Sequence, residues 1–170
     1  MIARGLTPFG AWRSCDEARD LMWIAAATEK VAPAPSRWIE TNVREATISP
    51  AGRALRSPGG PDLERFGLYE LRTVALIPNG REAFIRIARD RLLTIHAASG
   101  LHPVGVWWPE DNPDSVIILR AFCDPEDRAS TLARVYTHPE FGTVSAQLQA
   151  LEIGVAHRFY ELMSGSPPGR

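Results

Sequence analysis

Leu68-Tyr69-Glu70-Leu71-Arg72-Thr73-Val74-Ala75-Leu76 alternates two sets of side chains with a period of two and stops at the turn Pro78-Asn79-Gly80, so it reads as a β-strand. The next segment has the other period. Across Arg81 to Ser99, Phe84, Ile87, Ala88, Leu92, Ile95 and Ala98 recur at about 100° per residue, which predicts a helix with one apolar face, and Gly100 stands where it ends. Val104 to Trp108 and Ser115 to Phe122 are two further strands, joined as a hairpin by Pro109-Glu110-Asp111-Asn112-Pro113-Asp114. Asp124-Pro125-Glu126-Asp127 opens a second helix, with an N-cap aspartate and proline at the first helical position, running to about Tyr136. His138-Pro139 breaks it, Thr143 to Leu151 forms a shorter helix, and Val155 to Met163 alternates as a last strand. The order β-α-β-β-α-β with a helical insert is the ferredoxin-like arrangement, an α+β fold.

Upstream of this pattern the character of the chain changes. Residues 1–66 hold six of the 14 prolines and five of the 13 glycines and end in Ser57-Pro58-Gly59-Gly60-Pro61-Asp62, a loop signal. They read as a loop-rich extension with one helix, from about Cys15 to Lys30. Ser14 and Glu17 fit a capping box, Ala18, Leu21, Met22 and Ala25 recur at helical spacing, and Pro33 ends the run. Trp12, Trp23 and Trp38 are too large for this segment to bury alone, so they dock on the rest of the molecule or on a partner, unless part of the segment reflects a mis-assigned translation start. The expected organisation is an extension over 1–66, a domain over 67–163 and a tail over 164–170.

Composition narrows the function. A formal net charge of −1 over 170 residues gives no basic excess for nucleic acid, and no apolar run approaches the ~20 residues of a membrane span. Met1-Ile2-Ala3-Arg4 lacks the apolar core of a secretory signal, so a cytoplasmic location is expected. Two cysteines, Cys15 and Cys123, cannot supply a disulfide framework or a structural zinc site. The four histidines have no i, i+4 or H-x-H spacing, and Walker, G-x-G-x-x-G and G-x-S-x-G patterns are missing, so neither metal nor cofactor is expected. Arginine outnumbers lysine 18 to one, which fits a GC-rich coding sequence.

Five stretches in order, Tyr69-Glu70-Leu71-Arg72-Thr73, Val104-Gly105-Val106-Trp107, Ile118-Leu119-Arg120-Ala121-Phe122, Asp127-Arg128 and His138-Pro139-Glu140-Phe141, resemble the NIPSNAP family of the dimeric α/β-barrel superfamily. The resemblance spans about residues 67–163. It implies a homodimer in which two ferredoxin-like sheets pack face to face, with helices outside and a cavity in each half. Superfamily relatives include cofactor-free monooxygenases, haem proteins and isomerases, whereas most NIPSNAP-like proteins have no assigned reaction.

Strand alternation nominates the residues that face such a cavity. Glu70 and Arg72 share one face of the first strand; if the helix-covered face is apolar, they point to the opposite, concave side. Arg120 shares its face with Val116, Ile118 and Phe122 on a strand adjacent in this topology, so Glu70, Arg72 and Arg120 form one cluster. Two guanidiniums in excess of one carboxylate suit an anion or enolate, although a structural ion pair across a dimer interface has the same composition. His157 or, on the other face, Tyr160 moves protons. Trp107 or Trp108, with Phe122, stacks on a flat ligand, unless these are core residues. His96, at the flank of its helix, is expected on an outer surface, His102 and His138 in solvated turns, and Cys123 as a small buried residue. Two functions remain. One is a cofactor-independent biosynthetic enzyme of small-molecule, secondary metabolism (cyclase, isomerase or monooxygenase) acting on a small hydrophobic or aromatic carbonyl compound. The alternative is a non-catalytic NIPSNAP-like binding or adaptor protein whose barrel serves dimerisation.

Overall fold

The computed structural model describes residues 6–15, 21–27, 65–107, 109 and 112–162. Its strands are β1 (Leu6–Ser14), β2 (Leu21–Ala27), β3 (Leu68–Leu76), β4 (His102–Trp107), β5 (Ser115–Phe122) and β6 (Glu152–Leu162). They form one antiparallel sheet in the spatial order β2-β1-β6-β3-β5-β4, whose last four members are the ferredoxin-like set. Between β3 and β4 lie α1 (Arg81–Ile87), a wide π-turn over Ala88–Leu92 and α2 (Leu93–Ala98); between β5 and β6 lie α3 (Pro125–Thr137) and α4 (Phe141–Gln149).

The expected helix over Cys15 to Lys30 is overturned where the chain is described, because Leu21–Ala27 is a strand paired with β1. Sequence spacing there is compatible with a helix, but tertiary hydrogen bonding favours the extended form. β6 would otherwise be the edge of the ferredoxin-like sheet, and β1 covers it through Trp12↔Leu162, Arg13↔Glu161 and Ser14↔Tyr160. Cys15 N–H adds a 2.8 Å bond to the Phe159 carbonyl. Expectations for Trp38, Trp108 and the 164–170 tail, and for the side chains of Trp12 and Trp23, lie outside the described residues.

Local chemistry explains the remaining elements. Asn79 adopts φ 63° in the turn after β3, a left-handed conformation that asparagine tolerates, and its N–H donates to Asp114 Oδ1 at 3.1 Å, tying the two turns together. Gly100 follows α2 at φ +75°, where a side chain would be strained. At the start of α3, Asp124 Oδ1 accepts from Asp127 N–H at 2.8 Å, and Asp127 Oδ2 accepts from Cys123 N–H at 2.9 Å. Asp124→Ala is therefore expected to lower stability by about 1 kcal/mol, read as a lower urea midpoint with an unchanged slope.

Each face of the sheet has its own apolar cluster. Under the helices Val74, Leu76, Val106, Val116, Ile118 and Phe122 pack against Phe84, Leu92, Ile95, Leu132, Val135, Val144 and Leu148. On the other face Phe66, Tyr69, Val104, Trp107, Leu119, Ala121 and Tyr160 form a smaller cluster. This settles the direction of the charged residues, and it corrects the expected one. Glu70 and Arg72 share parity with Val74 and Leu76, so they lie under the helices and not on the open side.

Candidate active site between sheet and helices

Cross-strand register brings the charges together. Glu70 on β3 stands opposite Arg120 on β5, and Arg72 opposite His157 on β6. From above, α3 contributes Arg128, which falls at i, i+4, i+7 with Leu132 and Val135 and so lies on the inward stripe of its helix. α2 contributes His96. These residues line a cavity of about 370 Å³, within the usual range for small-molecule sites. Leu92, Leu132, Val135, Phe141 and Leu148 form its apolar walls. Exposed Tyr136 and partly exposed His157 mark its solvent side.

Glu70 is the hub. Its Oε1 accepts from Arg128 Nη2 at 2.8 Å and from His157 Nδ1 at 2.7 Å, and Arg120 Nη1 stands 3.7 Å from Oε2. Burial alone would raise the Glu70 pKa and is the largest single influence. The Arg128 hydrogen bond, the Arg120 charge, the His157 hydrogen bond and the Arg128 charge together outweigh it and hold the carboxyl below its usual range. Arg120 is pushed down to about 10, by burial first and by the Arg72 charge second, with Glu70 opposing, so it stays cationic at neutral pH. The Arg128 guanidinium also lies over the Phe159 ring, 5.0 Å from its centroid.

Among the described residues, five buried polar atoms lack a hydrogen-bond partner: Glu70 Oε2, Arg72 Nε, His96 Nδ1, Arg120 Nε and Arg128 Nε. Buried polar groups are nearly always paired, and every one of these belongs to a residue lining this single cavity. Unmet polar capacity is thus concentrated in side chains that line this cavity.

Glu70, Arg72, Arg120 and His157 converge as strand parity predicts, but on the opposite face. Three other expected residues do not join them. Tyr160 is buried in the cluster on the far face, because it alternates with His157 and Phe159 along β6. Trp107 lies on that same far face. The register shift between Pro103 and Gly105 breaks the parity of β4, so Val104 sides with Trp107 while Val106 faces the helices. Phe122 is a core residue under the helices and does not line the cavity. Cys123 is exposed, contrary to the expectation of a buried residue. Among the described residues no group of His, Cys, Asp and Glu is arranged to hold a metal ion, and no helix is long and apolar enough to cross a membrane.

Arg128 and His96 are the members that strand parity does not reach. For Arg128 the 128-132-135 stripe is an available signal. For His96 the reason is the π-turn. A regular 3.6-residue period from Phe84 puts Arg91, Ile95 and Ala98 inward and His96 at the flank. The wider turn over Ala88–Leu92 rotates the next turns of helix, so Leu92, Ile95, His96 and Ser99 are buried while Ala98 is exposed. Arg91 is left beside α4, with Nη1 3.1 Å from Gln147 Oε1 and Nη2 3.6 Å from Glu140 Oε2.

No protein-family model and no curated protein matches the chain. Solved structures do. A NIPSNAP-like domain protein from Burkholderia xenovorans is 25% identical, covering 62% of this chain and 93% of its own, with a TM-score of 0.56. A NIPSNAP family protein of unknown function from Agrobacterium tumefaciens is 22% identical over 61% of this chain and 94% of its own, also at 0.56. A putative monooxygenase from Lactobacillus acidophilus is similar in fold alone, with 13% identity over 95% of this chain and 81% of its own at a TM-score of 0.60. The chain thus has a ferredoxin-like fold and is similar over that domain to a NIPSNAP-like protein.

Proposed function

We propose that this protein binds a small anionic carbonyl compound with a hydrophobic or aromatic body and catalyses proton transfer on it without a cofactor, as an isomerase-type enzyme of small-molecule metabolism. The observation that carries the reading is the concentration of unpartnered buried polar atoms around one cavity that also holds the His157–Glu70 pair. The Glu70 carboxylate accepts from His157 Nδ1–H, which leaves Nε2 with its lone pair as the base. His157 Nε2 takes a proton from the carbon beside the carbonyl. The electron pair of that C–H bond moves into the carbonyl, and the resulting enolate oxygen is held by Arg72 and Arg120. Return of the proton to that oxygen gives the enol, a keto–enol isomerisation that needs no oxidant or reductant. Leu92, Leu132, Val135 and Leu148 offer the apolar body its contact.

Phenylpyruvate has the required features, a carboxylate, an enolisable carbonyl and an aromatic ring, and serves as a probe. The protein is expected to accelerate exchange of its α-protons in D₂O, followed by proton NMR, and His157→Ala to lose about a hundredfold or more of that acceleration. Exchange no faster with protein than without it refutes the catalytic reading.

A further inference from the structure

The helical segment over β3 and β5 changes pitch at the cavity. Its wide turn over Ala88–Leu92 is followed by His96, 97% buried, lining the cavity with Nδ1 bare. Buried histidines normally satisfy their ring nitrogens within the protein. A π-turn lowers helix regularity, and such turns collect at functional sites. Here its geometric effect is to swing an imidazole from the helix flank to a position facing Arg72 on β3 and Arg120 on β5.

We propose that His96 is a ligand-contacting residue that gives a hydrogen bond to the anionic oxygen attracted by Arg72 and Arg120. The inference rests on the cavity's being an anion site and adds a donor of a different kind. An imidazolium here would be buried beside two guanidiniums, so His96 works as a neutral ring, and burial first, then the Arg120 and Arg72 charges, push its pKa down to about 3. The other titratable groups around the cavity are Glu70 on β3, Arg128 and Tyr136 on α3, and Glu152 and His157 on β6. Glu70 is already engaged by Arg128, Arg120 and His157, so the neighbourhood of His96 remains cationic. With Nδ1 buried and unpartnered, no bond to that nitrogen within the chain fixes the tautomer, so the ring proton is free to stand on Nε2 and be donated from there. The two histidines then divide the work: His157, on Glu70, moves the proton, and His96 holds the oxygen on which charge develops.

Benzoate and its uncharged isostere benzamide test this with the full chain labelled with ¹⁵N-histidine. The His96 ring nitrogens are expected to show the neutral pattern from pH 5 to 8 and to shift on adding benzoate, which should bind at least tenfold better than benzamide. His96→Leu is expected to weaken benzoate about ten- to a hundredfold, with part of the loss recovered in His96→Gln, whose amide can donate. Unmoved His96 nitrogens in a benzoate-bound protein, together with undiminished binding by His96→Leu, overturn the inference and leave the anion site standing. Benzoate binding no better than benzamide overturns the anion site itself. Should the leucine variant fail to fold, the nitrogen shifts of the unsubstituted protein decide.

Discussion

Glu70→Ala is expected to destabilise the fold by about 3–5 kcal/mol, the range for removing one partner of a buried ion pair. Glu70 is fully buried and neutralises Arg120, itself 94% buried, and Arg128, while accepting from His157. Its loss leaves these cations under the helices with no carboxylate at the hub. The contrast is Arg13–Glu161 between β1 and β6, at 3.2 Å but with side chains 60% and 55% exposed. Solvent screening limits that pair, and Arg13→Ala is expected to cost no more than about 1 kcal/mol. Urea denaturation of the two variants side by side gives the comparison. Equal small losses would mean that water reaches Glu70 freely. The pH dependence has a definite sign. The folded pKa of Glu70 is depressed, so its contribution is complete above the unfolded carboxylate pKa of about 4.3 and is lost as the pH falls through the lower folded value.

Acidification acts earlier through His96. In the unfolded chain this residue takes up a proton near pH 6.5, but in the fold only at about 3, so between these values the unfolded state binds more protons. Stability is unaffected above about pH 6.5 and then falls by about 1.4 kcal/mol per pH unit from this residue, or about 3 kcal/mol between pH 6.5 and 4.5. His96→Gln cannot charge and is expected to remove that slope while leaving the loss at lower pH that belongs to Glu70. Thermal or urea midpoints for both proteins across this interval provide the measurement. An identical slope in both would show that the imidazole is protonated inside the fold.

How far these residues were legible depends on where their neighbours come from. The grouping of Glu70, Arg72 and Arg120 followed from strand parity and from the adjacency of two strands in a ferredoxin-like order, both properties of short windows of chain. The face they occupy did not. An apolar helix-covered face is the usual arrangement, and it fails here because the sheet's charges at this end are met by Arg128 and Glu70 within the layer, which makes a polar cavity tolerable inside the core. Likewise the Asp124 cap was readable from four residues, whereas strand β2 was not, since its stability comes from β1 and, through it, from the open edge of β6.

Periodicity of two and of 3.6, a cap and a few turn residues were enough to place the four strands and the helices of the ferredoxin-like unit, because each of those signals is a local steric or hydrogen-bonding preference. Three departures from regularity required the folded molecule: a parity break in β4, a wide turn that rotates His96 inward, and a terminal hairpin that completes an edge. Each depends on contacts with distant segments, and the wide turn is the one that adds a side chain, His96, to the cavity.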